Sequence, residues 1–151
     1  MKFSRITLAG LLLLGLGCGE PMMMLPGGAL SGTLEPPPSD WKFSDATKVV
    51  QLETRPDDPY SVNIWGVAVG HRFLIGSGSG MENAWARHID ADPNVRLRVG
   101  TSLYELRAVM SKDPTDRERF LEAVTKKYDE FDPEEERSSE SVIYQLEPRR
   151  S

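Results

Sequence analysis

Apolar and polar positions alternate in short runs along the chain from residue 47 onward. "TKVVQLETR" (47–55) is rich in β-forming residues and stops at the turn signal "RPDDP". "YSVNIWGVAV" (60–69), Gly70-His71 and "RFLIGS" (72–77) read as strand, tight turn and strand, a hairpin. Helical spacing then takes over from Met81 to Asp92, where Pro93 prevents continuation. "NVRLRV" and "SLYELRAVM" flank Gly100-Thr101, and a two-residue loop there sets the register of a second hairpin. Leu97 then faces Tyr104 and Val95 faces Leu106 on the apolar side, while Arg96 faces Glu105 on the other. Asp113 to Phe131 reads as a longer helix, with Asp113 as N-cap before Pro114. Its apolar stripe is Phe120, Leu121, Val124 and Tyr128. An acidic, Ser-rich link (129–141) leads to a last strand, "SVIYQLE".

The order β, β, β, α, β, β, α, β contains hairpins and no long crossover, so the sheet is expected to be mainly antiparallel. About six short strands suit closure into a small barrel, which removes exposed edges. The fold class predicted is mainly β (α+β), a small antiparallel barrel with two accessory helices.

The N-terminal segment is of another kind. Met1 to Arg5 carry two positive charges and Ile6 to Leu16 are mostly apolar, the n-region and h-region of a secretory signal. Cys18 falls where a lipoprotein signal is cut, and Gly17-Cys18-Gly19 resembles a bacterial lipobox. Gly15 departs from that pattern, which usually has a branched apolar residue there. The expected organisation is a lipoprotein signal peptide (1–17), a lipid-anchored flexible tether (18–40) and a barrel domain (41–151). Leu25, Leu30 and Leu34 of the tether are candidates for docking on the domain, which the sequence leaves undecided. The bland alternative is a secreted protein with a stray thiol. An acylated Cys18 would hold the protein on a bilayer, and Gly19 after it favours the outer membrane or the periplasmic face where a cell has one. It would also leave no cysteine for a disulfide, a nucleophile or a metal.

Length and charge narrow the rest. A chain of 151 residues, 39% hydrophobic, supports one globular domain. Its net charge of −5 and the lack of a basic stripe exclude nucleic acid as a partner. Two separated histidines, His71 and His88, give no metal-site spacing, and no metal is expected.

"GSGSGMENAWARHIDADP" (76–93) is the stretch with the most to offer chemically. A Gly-Ser loop before a helix presents backbone N–H groups suited to an anion, or it is a plain turn. It matches neither the P-loop nor the dinucleotide fingerprint. Trp85 and His88 lie on nearby faces of the helix, and core packing explains both without a ligand. Arg87, Arg98 and Arg107 read first as surface charge.

From "NAWARHIDADPNVRLRVGTSLYELRAVMSKDPTDRERF" the chain resembles the deazaflavin-dependent nitroreductases and their pyridoxamine-phosphate-oxidase-like relatives. Ala84, Trp85, Ala91, Pro93, Val95, Val99, Gly100, Tyr104, Ala108, Asp113, Pro114 and Arg117 match that pattern. The resemblance covers residues 72–128 well and 47–71 loosely. It implies a split barrel with a flavin-like cofactor, FMN or deazaflavin, in a groove beside it. Carried over, it places Ser77, Gly78, Ser79, Trp85 and His88 near the ring. The basic phosphate turn of that family reads "TRPDDP" here, with Arg55 the one substitute, and His88 stands where Asn is usual. The activity implied is hydride transfer to a quinone-like or nitro acceptor. A split barrel that has lost the cofactor, or one that binds haem through His88 or His71, is the alternative. A homodimer is compatible with either.

Overall fold

A computed structural model describes Pro21 and residues 25–129, 131–133 and 140–150. The signal segment and Cys18 lie outside the described residues. Strand β1 (Thr33–Glu35) precedes a 3₁₀ turn at Lys42–Ala46. Strands β2 (Val50–Thr54), β3 (Tyr60–Ile64), β4 (Gly66–Val69) and β5 (Arg72–Ser77) lead to helix α1 (Ala84–Ala91). Strands β6 (Asn94–Val99) and β7 (Ser102–Met110), helix α2 (Asp116–Lys127) and strand β8 (Val142–Pro148) complete the chain.

The sheet order is β3-β2-β6-β7-β8-β5-β4, with every adjacent pair antiparallel. Both ends of that path belong to one bent stretch of chain. Its first half, β3, pairs with β2, and its second half, β4, pairs with β5. The barrel is therefore closed at Trp65 by the covalent chain, and no ladder joins β3 to β4. This is a split barrel with two helices, as the hairpin order and the resemblance predict. The strand count differs from six for two reasons: the 60–69 strand breaks at Trp65, and β1 comes from the segment read as a tether.

The apolar faces fall where the alternation puts them. Leu97 pairs with Tyr104, Val95 with Leu106 and Arg96 with Glu105, the expected register. Leu52, Phe73, Ile75, Leu97 and Leu106 fill the barrel, which Trp41 and the Trp85, Ala86 and Ile89 face of α1 help to complete. A second apolar layer packs Phe120, Leu121 and Val124 of α2 over Val67, Leu74 and Ile143. The Arg72 guanidinium clamps that helix, donating to the Asp116 carboxylate at 2.7 and 2.6 Å.

Helix boundaries shift for local reasons. The Asp113 carboxylate accepts from the Thr115 amide (2.9 Å) and hydroxyl (2.7 Å), so it closes a turn and α2 begins at Asp116. Tyr128 is extended and ends that helix before Phe131. Gly80–Glu82 form a 3₁₀ turn and Asn83 is extended, so α1 starts at Ala84.

From residue 25 the expected tether is folded against the barrel. Gly27 and Ser61 exchange backbone hydrogen bonds of 2.8 and 2.9 Å, and the Ser61 hydroxyl donates to the Gly28 carbonyl at 2.7 Å. Leu30 is buried, and β1 runs parallel to β7 with Thr33 opposite Ser102. Leu25 and Leu34 stay exposed. Three residues of parallel pairing leave no periodic trace in a stretch of Gly, Pro and Ser, which is why the local pattern does not reveal this arm.

The arm also changes the partner of Arg96. Although Glu105 lies opposite, the Arg96 guanidinium donates to the Glu53 carboxylate of β2 at 2.7 and 2.6 Å. Glu53 is 2% exposed and accepts a third bond from the Leu30 amide at 2.6 Å. Glu105 pairs instead with Arg149, at 3.5 Å.

Candidate functional site

The break at Trp65 coincides with a cleft of 680 Å³. Asn63, Ile64 and Trp65 reach it from the bent strand. Gly76, Gly78, Ser79 and Asn83 line it from the end of β5 and the following turn, and Trp85 from α1. Tyr128, Asp129 and Phe131 follow α2, and Lys48 and Val49 precede β2. Small residues line one part and aromatic rings another, the make-up of a site for a flat molecule.

Each aromatic ring is held by a neighbour. Trp65 is 43% exposed and meets Phe131 edge-on at 4.8 Å between centroids, with Tyr128 at 6.3 Å. The Tyr128 hydroxyl donates to the Gly66 carbonyl at 3.2 Å and accepts from the Gly66 amide at 3.4 Å, so the helix end is tied to the bend. Burial pushes the Tyr128 phenol above its ordinary pKa. A Cβ at Gly66 would meet the Phe73 ring at 2.6 Å, so the bend needs glycine there for space. Trp85 combines the two roles considered for it. It is 7% exposed, packs edge-on against Tyr144 at 5.9 Å, and still presents surface to the cleft.

Hydrogen bonds brace the Gly-Ser turn. The Ser77 hydroxyl donates to the Gly80 carbonyl and accepts from the Asn83 amide, both at 2.7 Å. Ser77 is thus a brace beneath the turn, not a wall of the cleft. The left-handed residue is Gly80, at φ 53°; Gly78 is not among the left-handed glycines. A Cβ at Gly80 would also meet the Glu140 carbonyl oxygen at 2.5 Å.

Arg55 and His88 gather elsewhere. Arg55 takes a left-handed backbone (φ 55°), pairs with Asp58 at 3.1 Å and lies 5.7 Å from the centre of the Tyr60 ring. His88 meets the same ring edge-on at 4.9 Å, with Nδ1 3.0 Å from the Thr54 hydroxyl. Burial first, then the charges of Arg55 and Arg87, hold the His88 imidazole below the usual histidine range. Neither residue lines the cleft, nor does His71, whose Nδ1 lies 3.6 Å from Asp40. The cation at the cleft is Lys48. Sequence reasoning missed Lys48, Asn63, Trp65, Tyr128 and Phe131 as site residues. Apart from the aromatic spacing Trp65–Tyr128–Phe131, which only the fold brings together, nothing local marks them. Among the described residues no cluster of His, Cys, Asp and Glu could hold a metal ion, and no helix is long and apolar enough to cross a membrane.

Solved structures of low identity share this architecture. The conserved hypothetical protein Rv2991 from Mycobacterium tuberculosis is 19% identical, covering 72% of this chain and 77% of that one, with a TM-score of 0.57. A pyridoxamine 5'-phosphate oxidase-like protein from Listeria innocua is 18% identical over 71% and 88% of the two chains, with a TM-score of 0.53. HutZ, a heme storage protein from Vibrio cholerae, is 15% identical over 72% and 87%, with a TM-score of 0.57. Among curated proteins there is no match. The model of the F420H2-dependent quinone reductase family, however, matches residues 54–143, from the end of β2 into β8, which include all of the cleft lining except Lys48 and Val49. By that match, over more than half of its length, the chain belongs to the F420H2-dependent quinone reductase family.

Proposed function

We propose that this protein is a lipid-anchored oxidoreductase that uses reduced deazaflavin, in preference to FMN, to reduce a small quinone-like or nitro acceptor. The observation that carries the reading is the cleft at the split, whose lining, apart from Lys48 and Val49, falls in the part of the chain that the family match spans. Its residues fit such a cofactor. Gly78 and Ser79 let the backbone approach a flat ring, and Trp65, Trp85, Tyr128 and Phe131 supply apolar surface. Lys48 offers a positive charge for a phosphate.

When bound, the reduced deazaflavin supplies the hydride. The protein orients the ring and acceptor and excludes water. The Tyr128 hydroxyl holds the helix end against Gly66 so that the aromatic wall stays in place. Cys18, where it is acylated, keeps the molecule on the bilayer. The haem alternative has no support from the cleft, since neither histidine lines it.

Titration with oxidised F420 and with FMN, followed by the fluorescence of each, tests the reading. Saturable F420 binding is expected, weakened tenfold or more by Trp65→Ala, with FMN binding more weakly. Tenfold is about 1.4 kcal/mol, within the range for losing a stacked ring. Failure of wild type to bind F420 below millimolar would end the proposal.

A further inference from the structure

A second cavity, of 410 Å³, lies where α2 packs on β4 beside the Lys42–Ala46 turn. Lys48, Arg119, Lys126 and Lys127 line it, against Asp45 and Glu122. That is a surplus of positive charge in a chain of net charge −5. The Arg119 guanidinium is already committed to Asp113 at 3.1 Å and Asp116 at 3.4 Å. Lys48 donates to the Lys127 carbonyl. Lys126 is exposed at the rim.

Lys127 is the unusual member. It is 7% exposed, and its Nζ makes one hydrogen bond among the described residues, to the Gly66 carbonyl at 2.8 Å. The ammonium also lies 5.2 Å from the centre of the Tyr128 ring. An ammonium has three donors, so two have no protein acceptor among the described residues. No described carboxylate stands within ion-pair distance, although Asp45 acts on it from farther away. Burial lowers its pKa to about 8, and Lys48 pushes the same way. Buried charges in proteins are paired or neutralised, because an unpaired ion in a poor solvent is costly. Here Lys127, with no described carboxylate in ion-pair distance, lines a cavity with further cations around it.

We propose that this second cavity is an oxyanion site, which takes the phosphate or carboxylate of a small ligand on Lys127 Nζ with Lys126 at the rim. It adjoins the cleft at the split: Lys48 lines both, and the 127–128 peptide supplies Lys127 to one and Tyr128 to the other. The inference does not rest on the cofactor assigned to that cleft.

Calorimetric titration of the folded domain with sulfate, inorganic phosphate and glutarate is the test. Sulfate keeps its charge across the pH range, so its binding reports the protein alone. An ammonium that must be charged to bind predicts sulfate affinity about tenfold weaker at pH 9 than at pH 7, from a free pKa of about 8. Lys127→Met is expected to abolish binding. Lys126→Gln, an exposed change that leaves the fold intact, is expected to weaken it several-fold, and Lys42→Gln to leave it unchanged. Tighter sulfate and phosphate than glutarate would identify a phosphate ligand, and the reverse a carboxylate. Should Lys127→Met fail to fold, the wild-type pH profile and Lys126→Gln decide alone. Binding that does not saturate, that ignores pH, or that Lys42→Gln and Lys126→Gln weaken equally would overturn the assignment.

Discussion

At the scale of single residues, Glu53 and Arg96 show how a contact can differ from the pairing that sets it up. The ladder puts Arg96 opposite Glu105, yet its guanidinium turns to the neighbouring strand. Burial decides between the two carboxylates. Glu53 is almost inaccessible and requires a counter-charge, whereas the Glu105 side chain is 48% exposed and is well served by water. Arg96→Met is therefore expected to cost about 2–4 kcal/mol, because it strands a buried carboxylate, against less than about 1 kcal/mol for Glu105→Ala. Urea unfolding of the two variants checks this. Equal costs would return Arg96 to its partner across the hairpin. The register itself, Leu97 against Tyr104, was legible because a two-residue turn and strict alternation leave no second solution. Glu53 was not legible, since the arm that covers it joins from more than twenty positions upstream.

Among elements, the Gly76–Gly80 turn and the bend at Trp65 build the cleft between them. The turn separates two demands usually met by one glycine. Gly80 carries the left-handed backbone and the close approach to Glu140, while Gly78 lines the cleft without the left-handed backbone. Gly80→Ala is expected to destabilise by about 1–2 kcal/mol or more from backbone strain, lowering the melting temperature. Gly78→Val is expected to spare the melting temperature and remove cofactor binding. Melting curves beside F420 titrations distinguish them, and a large loss of stability in Gly78→Val would make that residue part of the frame. The hairpins and helices of this region could be read from Gly, Pro and periodicity. The bend could not: "NIWGV" continues a strand pattern, and only closure of the sheet on itself requires the break.

For the whole molecule, the fold gathers some of the expected site residues and scatters others. Gly78, Ser79 and Trp85 reach the cleft, Ser77 supports it from below, and Arg55 and His88 meet at Tyr60. Family resemblance conveys which segments approach a site, and side-chain direction then depends on long-range packing that one sequence does not display. Tyr128 and Phe131 illustrate this, because both line the split only where the extended Tyr128 ends α2. Anchorage also belongs to this scale. If Cys18 is acylated, Cys18→Ser should move the intact protein from the membrane fraction to the soluble one without changing its melting curve.

The docked arm gives that anchorage a length. Because the chain joins the barrel at Gly27, the leash from Cys18 to that point is nine steps, at most roughly 32 Å whatever path it takes. An acylated protein moored so closely would skim the bilayer, and its cleft would meet acceptors dissolved in lipid at an effective concentration that solution partners rarely attain. Lengthening the leash with a Gly-Ser insert before Leu25 should slow reduction of a long-chain quinone in vesicles while sparing a water-soluble one. Equal rates for both would mean that the mooring has no part in choosing what is reduced.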